Sequence, residues 1–426
     1  MYRRLGSHPS SVDSASGISG LLKSSVSVIL LNIKQLKLIL LTALIAFGIF
    51  SFTLPGSSIS AKLDALNHHP LYYAATSNNS TDPMYIRESP PKMNKKSFKS
   101  IHNRLKFFFP YDGEQEVENN IWQLWKYRAD NPNFPEECFK HMERWRLVNS
   151  EYNHNVITID EAEQQVFNIF SYEMTEVIEA YNILPDIRLK FEFLKYLLIY
   201  TSGGVYADID TLDATPVKFW HHSSLKPNRV MVGVDVDYND VNWDILYNRR
   251  LSFSTKIFQA KSHHPFFTKL IARIVYTILN HKEDILSIDW NEAFKNVDSN
   301  NEPLTQLLSE SIFTDTLFEY LNGLDNPIVH RVARTEKDLI PTEIFGPETD
   351  QVFSYKLFTL SKGPTQIDDI LVMPQITFRG PSSGQHKGQI NKNSYENEYN
   401  DEKPEDYYYA RPLHFLSGDS LLSHEQ

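Results

Sequence analysis

The segment Gly203-Gly204-Val205-Tyr206-Ala207-Asp208-Ile209-Asp210-Thr211 constrains the fold of this chain more than any other stretch. Upstream of it, Ile187, Phe191, Leu194 and Leu198 recur at spacings of four, three and four. That is one apolar stripe, and with Pro185 just ahead it predicts a helix from Asp186 to Thr201. Gly203 and Gly204 then supply the positive φ that a helix C-terminus often requires. Val205 to Ala207 reads as a buried strand, so the unit is helix, glycine break, strand, acidic strand end. In an extended chain residues i and i+2 share a face. Asp208 and Asp210 are therefore expected to converge while Ile209 packs behind them. Two converging carboxylates suit a hard divalent cation. A bare Asp-x-Asp is common by chance. Asp235-Val236-Asp237 fits it too and reads as a solvated turn, because nothing around it forms a comparable unit.

Charge and cysteine usage narrow the function. A net charge of −11 and a pI near 5.8 argue against a nucleic-acid surface. The one cysteine, Cys138, rules out an intrachain disulfide and reads as a small buried hydrophobe. No Cys/His cluster has zinc spacing, and there is no phosphate-binding or dinucleotide glycine loop. The doublets His221-His222 and His263-His264 lack metal-ligand spacing and read as polar loop groups. Arg249-Arg250 could meet phosphate or an acidic glycan, but reads first as a solvated loop.

Leu38 to Leu54 carries no charge, and the uncharged run continues to Ala61. A bilayer core takes about 20 residues, so 38–58 is expected to be a transmembrane signal anchor. Its short apolar part suits early-secretory membranes. Arg3, Arg4, Lys23, Lys34 and Lys37 precede it against Asp13 alone, which leaves 1–37 as a cytosolic tail and the bulk lumenal. A cleaved signal peptide is the alternative, disfavoured by the long N-region. Residues 59–110 are mixed and polar and read as a flexible lumenal stem. Within it, Asn78-Asn79-Ser80-Thr81 holds two overlapping glycosylation sequons, at Asn78 and Asn79, which make sense in a lumenal segment. Residues 111–381 can hold one large α/β domain. A polar C-terminal segment, 382–426, ends in a docked piece around Tyr407 to Leu416.

Leu194-Lys195-Tyr196-Leu197-Leu198-Ile199-Tyr200 followed by Gly203 to Thr211 resembles the core block of glycosyltransferase family 32, in the style of fungal Golgi α-1,6-mannosyltransferases. Ile121-Trp122-Gln123-Leu124-Trp125-Lys126 is similar to the family's first strand and the loop beside the nucleotide. Trp145 to Ile159, Lys261 to Pro265, Phe313 to Thr316 and Met373 to Phe378 resemble further landmarks, so the likeness runs roughly from Asn120 to Pro381. It implies a GT-A-like domain with a Rossmann-like, mixed, mostly parallel sheet and the metal site at the carboxyl end of a strand. It also implies a metal-dependent, retaining hexosyltransferase that takes mannose from GDP-mannose to an N-glycan or mannan acceptor in α-1,6 linkage. Manganese would be held by Asp208 and Asp210, with His414 as a further ligand. Glu192, Lys195, Tyr206 and Trp122 (or Trp125) would contact the donor. The setting implied is the Golgi membrane, as a single-pass type II protein.

The chain departs from the family at three places around this site. Glu192 and Lys195 stand where relatives carry an Asp and an Arg facing the donor sugar, and Lys lacks the planar bidentate fork of Arg. Leu308-Ser309-Glu310-Ser311 replaces a Thr-Gly-Pro run. Leu413-His414-Phe415-Leu416-Ser417-Gly418-Asp419-Ser420 lacks the Trp of the relatives' closing segment. These departures motivate an alternative: a non-catalytic or weakly active subunit of a Golgi mannan-polymerase complex. A lipid-directed enzyme mannosylating an inositol-phosphate sphingolipid is a third reading, without the later hydrophobic spans of that branch.

Overall fold

The computed structural model describes residues 95–221, 225–238, 243–297, 305, 307–331, 353–380 and 407–422. The expected tail, anchor, most of the stem and both sequons lie outside them. None of the described helices is long and apolar enough to cross a membrane.

Eleven strands are described: β1 Asn120–Trp125, β2 Asn153–Thr158, β3 Gly204–Ala207, β4 Thr211–Asp213, β5 Val230–Asp237, β6 Leu251–Phe253, β7 Ile257–Ala260, β8 Val329–Arg331, β9 Thr365–Ile367, β10 Ile370–Met373 and β11 Ala410–Pro412. Nine form one sheet in the order β2-β1-β3-β7-β5-β10-β9-β8, with β6 pairing β5 off that path. The sheet is mixed, as expected. Following the pairings outward, β1, β2, β3, β5, β8 and β10 point one way and β6, β7 and β9 the other. The antiparallel β7 joins the parallel group β2-β1-β3 to the parallel pair β5-β10. β11 pairs with β4 as a separate ribbon.

Side-chain alternation assigns the two faces of the sheet. Trp122 and Leu124, Tyr206, Val230, Val232 and Val234 belong to the larger core. Ile121, Val205, Ala207 and Met231 belong to a second one on the opposite face. The longer helices are α1 Lys95–Phe108, α2 Glu136–Val148, α3 Ile159–Phe170, α4 Thr175–Ile183, α5 Ile187–Ser202, α6 Pro265–Asn280 and α7 Glu310–Leu321. All but α2 fill the larger core; α2 buries Trp145 in the second core and Cys138 and Met142 in a third small cluster. Helix α5 is the predicted one. Asp186 caps it by accepting from the Arg188 N–H, and Gly203 ends it at φ 61°. Such a cap contributes about 1 kcal/mol. Gly204 follows at φ 108°, and a Cβ there would come within 2.4 Å of the Asn120 carbonyl oxygen. The glycine pair is thus required both by backbone conformation and by close packing on β1.

Helix α1 lies inside the range expected to be a flexible stem. It packs against α6, and Ile101, Leu105 and Phe109 enter the larger core. Arg104 pairs with Glu176 and donates to the Glu173 carbonyl at 2.7 Å. Three apolar residues at spacings of four, at the end of a polar stretch, are too short a stripe to stand out beside the charged residues around them.

Candidate active site

A cleft of about 580 Å³ opens where the carboxyl ends of β1, β3 and β5 meet the N-terminal turns of α5. Open α/β sheets bind ligands at this edge. Its floor is the Asp208-Ile209-Asp210 turn. One wall is Arg188, Leu189, Phe191 and Glu192; the opposite wall comes from Asn248 to Lys256 and Leu307 to Ser311; His414 to Leu421 closes the top.

The acidic pair is not an extended strand end, as the alternation argument expected. β3 stops at Ala207, and the three residues form a turn between β3 and β4. Both carboxylates still reach one cleft. Asp208 is fixed from the core side. Its N–H donates to the Lys256 carbonyl at 2.9 Å. Its own carbonyl accepts from Thr211 Oγ1 at 2.6 Å and Gln123 Nε2 at 3.2 Å. The Tyr206 hydroxyl donates to Oδ1 at 2.8 Å. Asp210 is fixed from the C-terminal side: its carbonyl accepts from the Leu413 N–H at 2.8 Å, and Oδ2 from the Leu416 N–H at 3.2 Å. Ile209 packs behind the turn with Trp125, Cys138 and Met142.

Burial, then the neighbouring charge of Asp208, pushes the Asp210 carboxyl up to about 6. Two carboxylates crowded into a partly dry site are what a hard dication relieves. The described residues contain no group of three or more His, Cys, Asp or Glu able to hold a metal. The pair therefore fits a cation completed by phosphate oxygens and water rather than an all-protein cage.

The other expected site residues divide. Glu192 lines the cleft, and so does His414, at φ 55°, but His414 does not join Asp208 and Asp210 as the expected third ligand. Lys195 does not line the cleft: it is 1% exposed, and its ammonium lies 2.7 Å from Glu192 and 3.6 Å from Asp208. Burial opposes its charge, but the carboxylates of Asp208 and Glu192 outweigh that and hold its pKa above the ordinary value. Tyr206 is fully buried on the helix-facing side of β3, stacked on Phe258, so it supports Asp208 instead of stacking on a sugar. Trp122 is a core residue whose indole donates to the Gly203 carbonyl at 2.9 Å. Trp125, three residues on, lines the cleft instead. Its Nε1 is buried without a hydrogen-bond partner in the structure.

Three other expectations change. Arg249 is not in a solvated loop: it is 6% exposed and forms a bidentate pair with Asp315 at 2.8 and 2.5 Å, which braces the cleft wall against α7. His264 is fully buried, caps α6 and lies 3.3 Å from Asp369. Asp237 accepts from Thr359 Oγ1 and the Leu360 N–H, so it holds a turn together. Cys138 is free and buried as expected, and burial pushes its thiol up to about 12.

Sequence reasoning missed Arg188 and Asp419. Arg188 bonds both oxygens of Asp186, plus Asn291 and Asp419, and stacks on Phe294. Together with Lys126, which donates to the Ser420 carbonyl at 2.7 Å, it latches the C-terminal segment over the cleft. The only local signal was an Arg two places after a capping Asp; its far partner, 231 residues away, leaves none.

With this geometry in view, residues 135–226 match the model of a glycosyltransferase sugar-binding region containing a DXD motif. An initiation-specific alpha-1,6-mannosyltransferase of Candida albicans is 33% identical over 66% of this chain and 69% of its own. A Saccharomyces cerevisiae protein named as a glycosyltransferase, HOC1, is 31% identical over 70% of this chain and 66% of its own. The initiation-specific alpha-1,6-mannosyltransferase of that yeast is 22% identical, over 84% and 92%. The chain therefore belongs to glycosyltransferase family 32, a family of sugar transferases.

Proposed function

We propose that the chain transfers mannose from GDP-mannose to an N-glycan or mannan acceptor in α-1,6 linkage, at the Golgi membrane, with manganese. One observation carries the reading. In a family whose relatives are named alpha-1,6-mannosyltransferases, Asp208 and Asp210 both line the floor of one cleft. They are the residues that would hold the cation. When bound, it would neutralise the diphosphate of the leaving nucleotide. Glu192 stands on the wall where a sugar hydroxyl would find an acceptor, and Trp125 lines the cleft beside the acidic turn. The segment His414 to Leu421 lines the cleft beside the acidic turn and bonds Asp210 through the Leu416 N–H. An α-linked product from an α-linked donor means net retention at the transferred carbon.

The burial of Lys195 supports a second reading. With the family's second sugar-facing position withdrawn from the cleft, the chain would be a weakly active or structural subunit of a mannan-polymerase complex. One assay separates the two: the full chain with manganese, offered a panel of sugar nucleotides and an oligomannose acceptor. Mannose transfer from GDP-mannose supports the first reading. GDP-mannose binding without turnover supports the second, and transfer of another sugar overturns the donor assignment.

A further inference from the structure

Lys195 projects from the cleft-side helix, yet its ammonium is turned inward. Besides Glu192 Oε1 and Asp208 Oδ1 it meets the Thr255 carbonyl at 3.2 Å, and it lies over the rings of Tyr206 and Phe191 at 5.3 and 5.5 Å. An ammonium has three protons, and three oxygens from three different parts of the chain surround this one. A buried cation persists only when paired in this way. The side chain is 1% exposed and does not line the cleft, so it has no reach to a ligand there.

We propose that Lys195 is a positioning residue that sets the charge of the cation site: it ties Glu192 on the sugar-side wall to Asp208 in the acidic turn and tempers the pull of the carboxylates on a divalent ion. The inference rests on the cation-site reading given above. The backbone of Asp208 is held independently by Gln123, Thr211 and Lys256. Removing the ammonium therefore changes the charge near Oδ1 more than the position of the residue. A unit charge 3.6 Å from a ligand oxygen is a large term in a partly buried site.

Mn2+ binding to the full chain, measured without nucleotide by electron paramagnetic resonance, tests this. Lys195→Met should bind Mn2+ about 10-fold more tightly than wild type. Lys195→Arg, which keeps the charge, should stay within about twofold. Glu192→Gln, which leaves the ammonium less compensated, should weaken binding about threefold. In Lys195→Met the ratio of GDP-mannose to GDP affinity should not change. Unchanged or weaker Mn2+ binding in Lys195→Met overturns the proposal. So does a selective loss of GDP-mannose relative to GDP, which would make Lys195 a sugar contact. If Lys195→Met does not fold, Glu192→Gln decides, and unchanged Mn2+ affinity there overturns it. Absence of Mn2+ binding in wild type, or binding indifferent to Asp208→Asn, sinks the cation-site reading and this proposal together. Normal wild-type binding with no response in the Lys195 and Glu192 variants sinks only the latter.

Discussion

Asp208 and Asp210 are two residues apart and face one cleft, yet different parts of the molecule hold them. Asp208 is fastened by the sheet and α5, through Tyr206, Lys195 and Gln123. Asp210 is fastened by a C-terminal segment more than 200 residues away, through the N–H groups of Leu413 and Leu416. The first support belongs to the core, where side chains are fully buried and packing is fixed. The second begins on β11, where Tyr409 and Ala410 enter the second core, but its last turn is kept down by the Arg188–Asp419 and Lys126–Ser420 contacts, with Asp419 80% exposed. The difference teaches that one half of the site is made with the fold and the other half is added by docking a tail.

The largest effect should come from the acids themselves. Asp208→Asn or Asp210→Asn should each lower transfer about 1,000-fold, the scale of losing a pre-organised electrostatic group. The fold should survive, since both lie in a turn; unchanged far-UV circular dichroism beside the lost rate checks this. Releasing the tail comes next. Asp419→Ala should lower kcat/KM about 10-fold and leave thermal stability almost unchanged, because an exposed ion pair contributes little to folding. A large drop in melting temperature would show that the last turn is as much part of the core as Tyr409 and Ala410 are. Tyr206→Phe removes a hydrogen bond to a charged acceptor, about 1.5–3 kcal/mol, so this variant should lose stability along with a few-fold of rate. The contrast between the Asp419 and Tyr206 variants is the sharpest form of the comparison.

The smallest effect is on pH. Burial and Asp208 push Asp210 up to about 6, and burial pushes Asp213, in the β4 ribbon, up to about 7. An unfolded Asp titrates near 3.9, so the folded chain holds protons that the unfolded chain has released. Stability from this source is full below about pH 4 and is lost as pH rises through 6 to 7. The melting temperature of the cation-free protein should fall by on the order of 10 °C over that window. Asp213→Asn should remove the upper part of the slope. Added Mn2+ should offset only the part due to Asp210, because Asp213 bonds Asn149 in the interior.

Much of this site was legible in the sequence because it is local. The apolar stripe of α5, Pro185 ahead of it, the glycine pair and the two acids all lie within about 26 residues and use short-range rules. Three things were not local. Strand β3 ends at Ala207 and the acidic pair turns away from it, while Tyr206, a donor contact in the family resemblance, lies on the face of β3 that packs in the helix-facing core. Glu192 and Lys195 share a helical face, but that face straddles the cleft rim, and spacing alone does not say which side chain turns inward. Arg249 has no periodic signal, and its partner Asp315 lies 66 residues away. Trp122 and Trp125 were correctly placed on the first strand, but only the sheet's depth shows that the second reaches the cleft.

In the proposed reaction, Asp208 and Asp210 form one cation-dependent transfer site. The most direct measurement is the initial rate of mannose transfer from GDP-mannose to an oligomannose acceptor, with EDTA and then with a Mn2+ titration. Wild type and an Asp208→Asn, Asp210→Asn double variant should be run in parallel. The account predicts no turnover in EDTA, saturable recovery with Mn2+ in wild type, and none at any concentration in the double variant. Full turnover in EDTA, or turnover retained by the double variant, would contradict it.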